Sequence, residues 1–156
     1  MTKANPKPSK PSKVAKKSAT RLTAVQIVYE HLMRESVLKD ILSDYKQNRL
    51  KFPLDEGETL IQPDMMFLVK IVQGVEEHKE SLSQMILSKI KKDNKRLDSL
   101  LSAILFCGTY EIFALGDIDT GIIISDYMHV TEAFFEGSEP KLINAILDKI
   151  AKDIRG

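Results

Sequence analysis

Residues 141–150 read KLINAILDKI. Ile143, Ile146, Leu147, Ile150 and then Ile154 recur at the three- and four-residue spacing that puts apolar side chains on one face of a helix. Lys141, Asp148 and Lys149 fall on the other face. Ser138 is placed to cap this helix and Pro140 suits its first turn. The stretch predicts a C-terminal helix docked on a core through one narrow stripe.

Working outward, the same period covers most of the chain. Asp119 or Thr120 can cap a preceding helix, with Ile123, Tyr127, Val130 and Phe134 on one face and Ile124, Met128 and Phe135 beside it. A helix apolar over so wide an arc is expected to be mostly buried. The run Ile122-Ile123-Ile124 suits a strand locally, but no second run of that character exists to pair with it. Before it, Asp93 or Asn94 can start a helix carrying Leu97, Leu101, Ile104, Leu105, Gly108 and Ile112, ended by Gly116. Pro63 and Asp64 open another, with Met66, Phe67, Val69, Ile71, Val72 and Val75. A break near residue 80 separates it from Leu82, Met85, Ile86 and Ile90. Residues 49–62, with Pro53 and Gly57, read as a loop. A short helix fits residues 36–48. The first helix, capped by Ser18 or Thr20, carries Leu22, Val25, Tyr29, Leu32 and Met33. The expected fold class is all-α.

Composition sets further bounds. The chain has 156 residues, 43% of them hydrophobic, no Trp and one cysteine. That is enough for one domain with an aliphatic core. Cys107 has no partner for a disulfide and sits between apolar neighbours, as a buried thiol in a reducing cytoplasm would. No apolar run is long enough to span a bilayer. The N-terminus has no apolar segment behind its lysines, so it is not a secretory signal, and Pro6, Pro8 and Pro11 argue against a helical transit peptide.

A net charge of +1 hides an uneven distribution. Lys3, Lys7, Lys10, Lys13, Lys16, Lys17 and Arg21 fall within residues 1–22, which contain no acid. The remainder is acidic on balance. Residues 1–17, rich in lysine and proline and poor in apolar groups, are expected to form a disordered basic arm. Residues 18–156 are expected to form the helical domain.

Catalytic signatures are missing. There is no zinc-ligand spacing, no glycine-rich phosphate loop and no nucleophile elbow. His31, His78 and His129 are far apart in sequence, and Asp117 with Asp119 reads as a capping turn. No cofactor, metal, small-molecule substrate or enzymatic activity is expected. Two basic clusters remain. Lys89, Lys91, Lys92, Lys95 and Arg96 form one, which reads as a solvated face. Lys13, Lys16, Lys17 and Arg21 form the other. It joins the arm to a helix N-terminus without compensating acids, and both features attract phosphate.

Specific residues also carry a family likeness. Arg21 followed by Ala24-Val25-Gln26-Ile27-Val28-Tyr29 resembles the opening helix of the NusB transcription antitermination family. Ala103-Ile104-Leu105 with Tyr110-Glu111-Ile112 resembles its central helix, and residues 141–150 resemble its last helix. The likeness spans about residues 16–155. It implies a compact bundle of about seven helices in two subdomains. It also implies a factor that binds the boxA element of ribosomal RNA operon transcripts together with NusE, a small-subunit ribosomal protein, and helps RNA polymerase read through terminators. There are departures. Lys16 and Lys17 stand where an arginine cluster is usual, Phe106 replaces a basic residue, and Leu142 replaces an aromatic one.

Single-stranded RNA needs a basic track, and Lys16, Lys17 and Arg21 can supply one, with Lys141 near the last helix's N-terminus adding a phosphate contact. The resemblance implies a protein-partner face at Tyr29 and Met33, which helical period alone would equally place in the core. A helical interaction adaptor without RNA binding is one alternative. An accessory domain of an RNA methyltransferase is another, disfavoured because no glycine-rich cofactor loop follows.

Overall fold

The computed structural model describes residues 12–49, 61–90 and 97–156. They form seven α-helices: α1 (Lys13–Arg34), α2 (Leu38–Asp44), α3 (Met65–Glu77), α4 (Lys79–Leu87), α5 (Ser99–Ala114), α6 (Thr120–Phe134) and α7 (Glu139–Arg155). A π-helical turn, Tyr45–Arg49, continues α2. There is no strand among the described residues, and Ile122-Ile123-Ile124 lies within α6.

α5 is the centre of the bundle. Every residue from Ala103 to Ile112 is buried, so this helix has no solvent face over nearly three turns. α1, α2 and α3 pack on one another to one side of it, and α6 and α7 pair on the other, with α4 between α3 and α7. This is the expected two-part bundle joined through a shared axis. The stripe Ile143, Ile146, Leu147 and Ile150 of α7 is buried as its spacing requires. Two glycines allow close approach. A Cβ on Gly74 of α3 would stand 2.0 Å from Tyr110 Cζ, and one on Gly108 would meet Leu147 Cδ1 at 3.0 Å.

Several boundaries differ from the sequence reading. α1 begins at Lys13, so residues 13–17, expected in the arm, are helical. Ser12 is the cap, its Oγ accepting from the Ala15 N–H at 3.1 Å. Lys13-Val14-Ala15-Lys16-Lys17 contains no helix breaker after Pro11, and lysine and alanine favour the helix. Residues 1–11 lie outside the described segments. α5 begins at Ser99, where Asp98 Oδ1 accepts from the Leu101 N–H at 2.9 Å. Asp93 and Asn94, the caps expected for it, lie outside the described residues. α3 begins at Met65, so Pro63, expected in its first turn, precedes the helix, and Asp64 is the cap, its Oδ1 accepting from the Phe67 N–H at 3.2 Å.

The end of α5 is closed from a distance. The Arg155 guanidinium donates to the carbonyls of Ile112 (3.0 Å), Leu115 (2.9 Å) and Ile118 (2.6 Å). Carbonyls at a helix C-terminus have no partner within the helix. A cation from α7 satisfies them and locks the two helices together.

Candidate nucleic-acid interface and partner face

The basic end of α1 projects Lys13, Lys16 and Lys17 into solvent. Its position relative to α3 is fixed by Thr20. The Thr20 hydroxyl donates to the Lys16 carbonyl at 2.7 Å and accepts from the Asp64 N–H at 2.8 Å. The first turn of α3 is thereby brought against α1. Lys17 Nζ lies 6.0 Å from the centre of the Phe67 ring, and the Arg21 guanidinium carbon lies 5.3 Å from it. Both distances fall within cation–π range.

Arg21, expected on the RNA track, lies in the interior instead. It is 2% exposed. Nε donates to Glu111 Oε2 at 2.9 Å, Nη2 donates to Glu111 Oε1 at 2.9 Å, and Nη1 donates to Asp126 Oδ2 at 2.7 Å. Tyr127, also buried, donates its hydroxyl to Glu111 Oε2, and Ser18 donates to Asp126 Oδ1 at 2.8 Å. A guanidinium committed to two carboxylates inside the protein is not presented to a phosphate. Burial works against its charge, but the hydrogen bonds and charge of Glu111, with Tyr127 and Asp126, outweigh that and hold its pKa above the ordinary arginine value. The buried cluster ties α1 to α5 and α6 and orients the turn that carries Lys16 and Lys17.

Arg21 lies on the apolar stripe of α1, four residues before Val25 and seven before Val28. That spacing already pointed inward. Glu111 and Asp126, which hold it, were missed as functional residues. Glu111 stands among apolar neighbours on α5, and a lone acid there signals a buried partner.

Tyr29 and Met33 lie toward the other end of α1. Tyr29 is half-buried against the core, whereas Met33 is 56% exposed. Both line a shallow groove with Leu97, Leu100 and Phe135. Phe134, 39% exposed, is next to it in sequence. The two residues therefore share an apolar surface rather than both entering the core. Lys141 is exposed in the first turn of α7, just past the C-terminal end of α6. Lys17 and Ser18 instead lie along the N-terminal half of α6. The structure thus brings Lys16 and Lys17 together and leaves Lys141 at the far end of α6.

The remaining candidates are dispersed. Lys89 of the second basic cluster pairs with Asp153, and residues 91–96 lie outside the described segments. The His31 ring bridges two elements, Nδ1 toward the Ser36 carbonyl and Nε2 accepting from Lys79 Nζ at 2.9 Å. His78 packs on Tyr110 and Phe113. Phe106, at the position where the family has a basic residue, is buried. No group of three or more histidine, cysteine or acidic side chains is placed to hold a metal among the described residues. None of the described helices is long and apolar enough to cross a membrane.

Comparison with known proteins places this arrangement in context. Over 145 residues, covering 92% of this chain and 90% of the relative, it is 38% identical to the transcription antitermination protein NusB of Sinorhizobium medicae. It is 39% identical to the protein of that name from Sinorhizobium fredii, over 90% of this chain and 88% of the relative. Among solved structures, Thermotoga maritima NusB superposes with a TM-score of 0.71 at 22% identity, over 88% of this chain and 91% of that one. The antitermination factor NusB crystallised with NusE and double-stranded RNA gives 0.72 at 18% identity, over 87% and 96%. At those identities the superpositions speak for the fold. The NusB family model matches residues 18–152, and with relatives of this identity across nearly the whole length, the chain belongs to the NusB family.

Proposed function

We propose that this protein is a transcription antitermination factor of the cytoplasm that binds boxA-type RNA from ribosomal RNA operon transcripts together with NusE, as part of the complex that lets RNA polymerase read through terminators. It acts by binding and catalyses no reaction. The observation that carries this reading is the division of α1 into two separate surface patches. Lys16 and Lys17 stand at its N-terminal end, and Tyr29 and Met33 stand twelve or more residues further on. At 1.5 Å per residue the patches are about 18 Å apart. An RNA strand and a protein can then occupy the same helix without competing. Lys141, exposed in the first turn of α7, adds a separate phosphate contact. A solved relative bound to NusE and double-stranded RNA supports the pairing of ligands.

A second reading, a helical adaptor without RNA binding, is favoured by two observations. Arg21 is withdrawn into the interior, and Phe106 occupies the position of a basic residue. Titration of labelled boxA RNA, as single strand and as duplex, with and without NusE, separates the two. Tight, salt-sensitive binding that strengthens with NusE supports the antitermination reading. NusE binding with no RNA affinity at any salt concentration supports the adaptor.

A further inference from the structure

The basic end of α1 has two flanks of opposite character. Toward α6, Val14 and Lys17 border a groove whose other wall includes Asp117, Asp119 and Ile122. Both aspartates are exposed. Toward α3 lie the half-buried Phe67 ring, Met66 at 85% exposure and, one turn on, the exposed Lys70. A polyanion held by Lys16 and Lys17 meets two exposed aspartates on the first flank; on the second the half-buried Asp64 is tied to the Phe67 N–H and Lys70 is exposed, so the second is the more favourable path.

We propose that the RNA strand leaves Lys16 and Lys17 over the first two turns of α3, with an unstacked nucleobase against Phe67 and Met66 and a phosphate on Lys70. This rests on the RNA-binding reading and adds the route and the stacking residue. The Phe67 ring is suited to the task. The Arg21 guanidinium, itself fixed by Glu111 and Asp126, packs against it, so little freedom is lost when a base arrives. The exposed Lys17 side chain also lies over the ring and is long enough to exchange it for a phosphate. Met66, the preceding residue, is 85% exposed and has room to turn toward a base held at the ring, and base–aromatic stacking is tolerant of sequence. The bond from the Asp64 N–H to Thr20 keeps this platform in register with the lysines.

The chain contains no tryptophan, so Phe67→Trp creates a single fluorescent reporter on the proposed path, and Ile122→Trp creates one on the acidic flank. Each is titrated with a single-stranded boxA-type oligonucleotide and with inorganic polyphosphate, which has charge but no bases. The expected result is quenching of Phe67→Trp by RNA but not by polyphosphate, and no quenching of Ile122→Trp. Phe67→Leu, which keeps an apolar side chain, should lower RNA affinity by about fivefold or more, the lower end of what base–aromatic stacking supplies. Lys70→Ala should flatten the log–log salt dependence by about 0.7, one single-strand phosphate contact. RNA binding that depends on Lys16 and Lys17 while Phe67→Trp stays unquenched and Phe67→Leu and Lys70→Ala bind as the parent overturns the route and leaves the RNA-binding reading intact. Quenching at Ile122→Trp alone does the same. No RNA binding by the parent at any salt concentration overturns both.

Discussion

Arg21 and Glu111, ninety positions apart in the chain, form a two-pronged ion pair in the interior, with Nε to Oε2 and Nη2 to Oε1 both at 2.9 Å. Their side chains are 2% and 0% exposed. Asp126 takes the remaining prong and Tyr127 adds a hydroxyl donor, so four side chains from three helices share one polar cluster within an aliphatic core. The pair is aligned as a guanidinium and carboxylate prefer. Removing either member leaves the other charged and buried.

The first prediction follows from that asymmetry. Arg21→Ala and Glu111→Ala should each destabilise the fold by about 3–5 kcal/mol, the usual cost of breaking a buried pair from one side. Arg21→Met combined with Glu111→Leu should cost less than the two single changes summed. Urea unfolding of the three variants measures this. Additive losses would mean that the two residues do not act as a pair.

The second concerns RNA. Lys16→Ala with Lys17→Ala should weaken binding to a boxA-type strand and flatten its log–log salt dependence by about 1.4, two contacts at roughly 0.7 each. Stability should be unchanged, because both side chains are solvent-exposed. Lys141→Ala should act in the same direction, less strongly, and add to the pair, since it lies at the other end of α6. Affinity across a salt series is the measurement. Binding identical to the parent at every salt concentration would reduce the lysines to a solubility feature.

The third concerns the protein partner. Met33→Asp should abolish complex formation with NusE while leaving the thermal midpoint within a few degrees of the parent, because this side chain is already largely in water. Tyr29→Asp should also abolish it, with some loss of stability from the half-buried ring. Size-exclusion chromatography of the mixture and a melting curve of each variant test both points. An intact complex with Met33→Asp would move the partner elsewhere.

The fourth concerns the core. Leu147 is fully buried, and its side chain occupies the space a Cβ on Gly108 would need. Leu147→Ala should cost about 2–5 kcal/mol through lost burial and the cavity left behind. A neutral result by denaturant unfolding would remove α7 from the core.

The fifth concerns pH. Burial, reinforced by the charge of Glu111, raises the pKa of Cys107 and of Tyr127 well above their ordinary values of 9.0 and 10.0. Above pH 9 the unfolded chain therefore releases protons that the folded state retains, so stability falls as pH rises. Below pH 9 this contribution is fully present. Cys107 should also resist alkylation at pH 8 until the protein unfolds. Thermal midpoints between pH 8 and 11, with iodoacetamide labelling in parallel, check both expectations. Rapid labelling of the native protein would contradict the burial of the thiol.

Sequence alone determined what depends on local periodicity. The spacing of Ile143, Ile146, Leu147 and Ile150 defines α7 and its buried face, because a helix brings residues three and four apart to one side whatever lies opposite. The order of helices and Pro140 in the first turn of α7 were legible from local sequence too. The family motifs in α1, α5 and α7 were legible as well. Tertiary structure decided the fate of each charge. Arg21 sits beside Lys16 and Lys17 in sequence, yet it turns inward because Glu111 and Asp126 wait there, 90 and 105 residues away. Arg155 lies in the last turn of α7, and only the fold shows that it closes α5. The helical period puts Arg21 on the inner face of α1, but a cation is stable there only beside a fixed anion, and near neighbours in the chain supply none. The anions arrive only when α1, α5 and α6 meet, and that meeting also fixes the surface left for RNA.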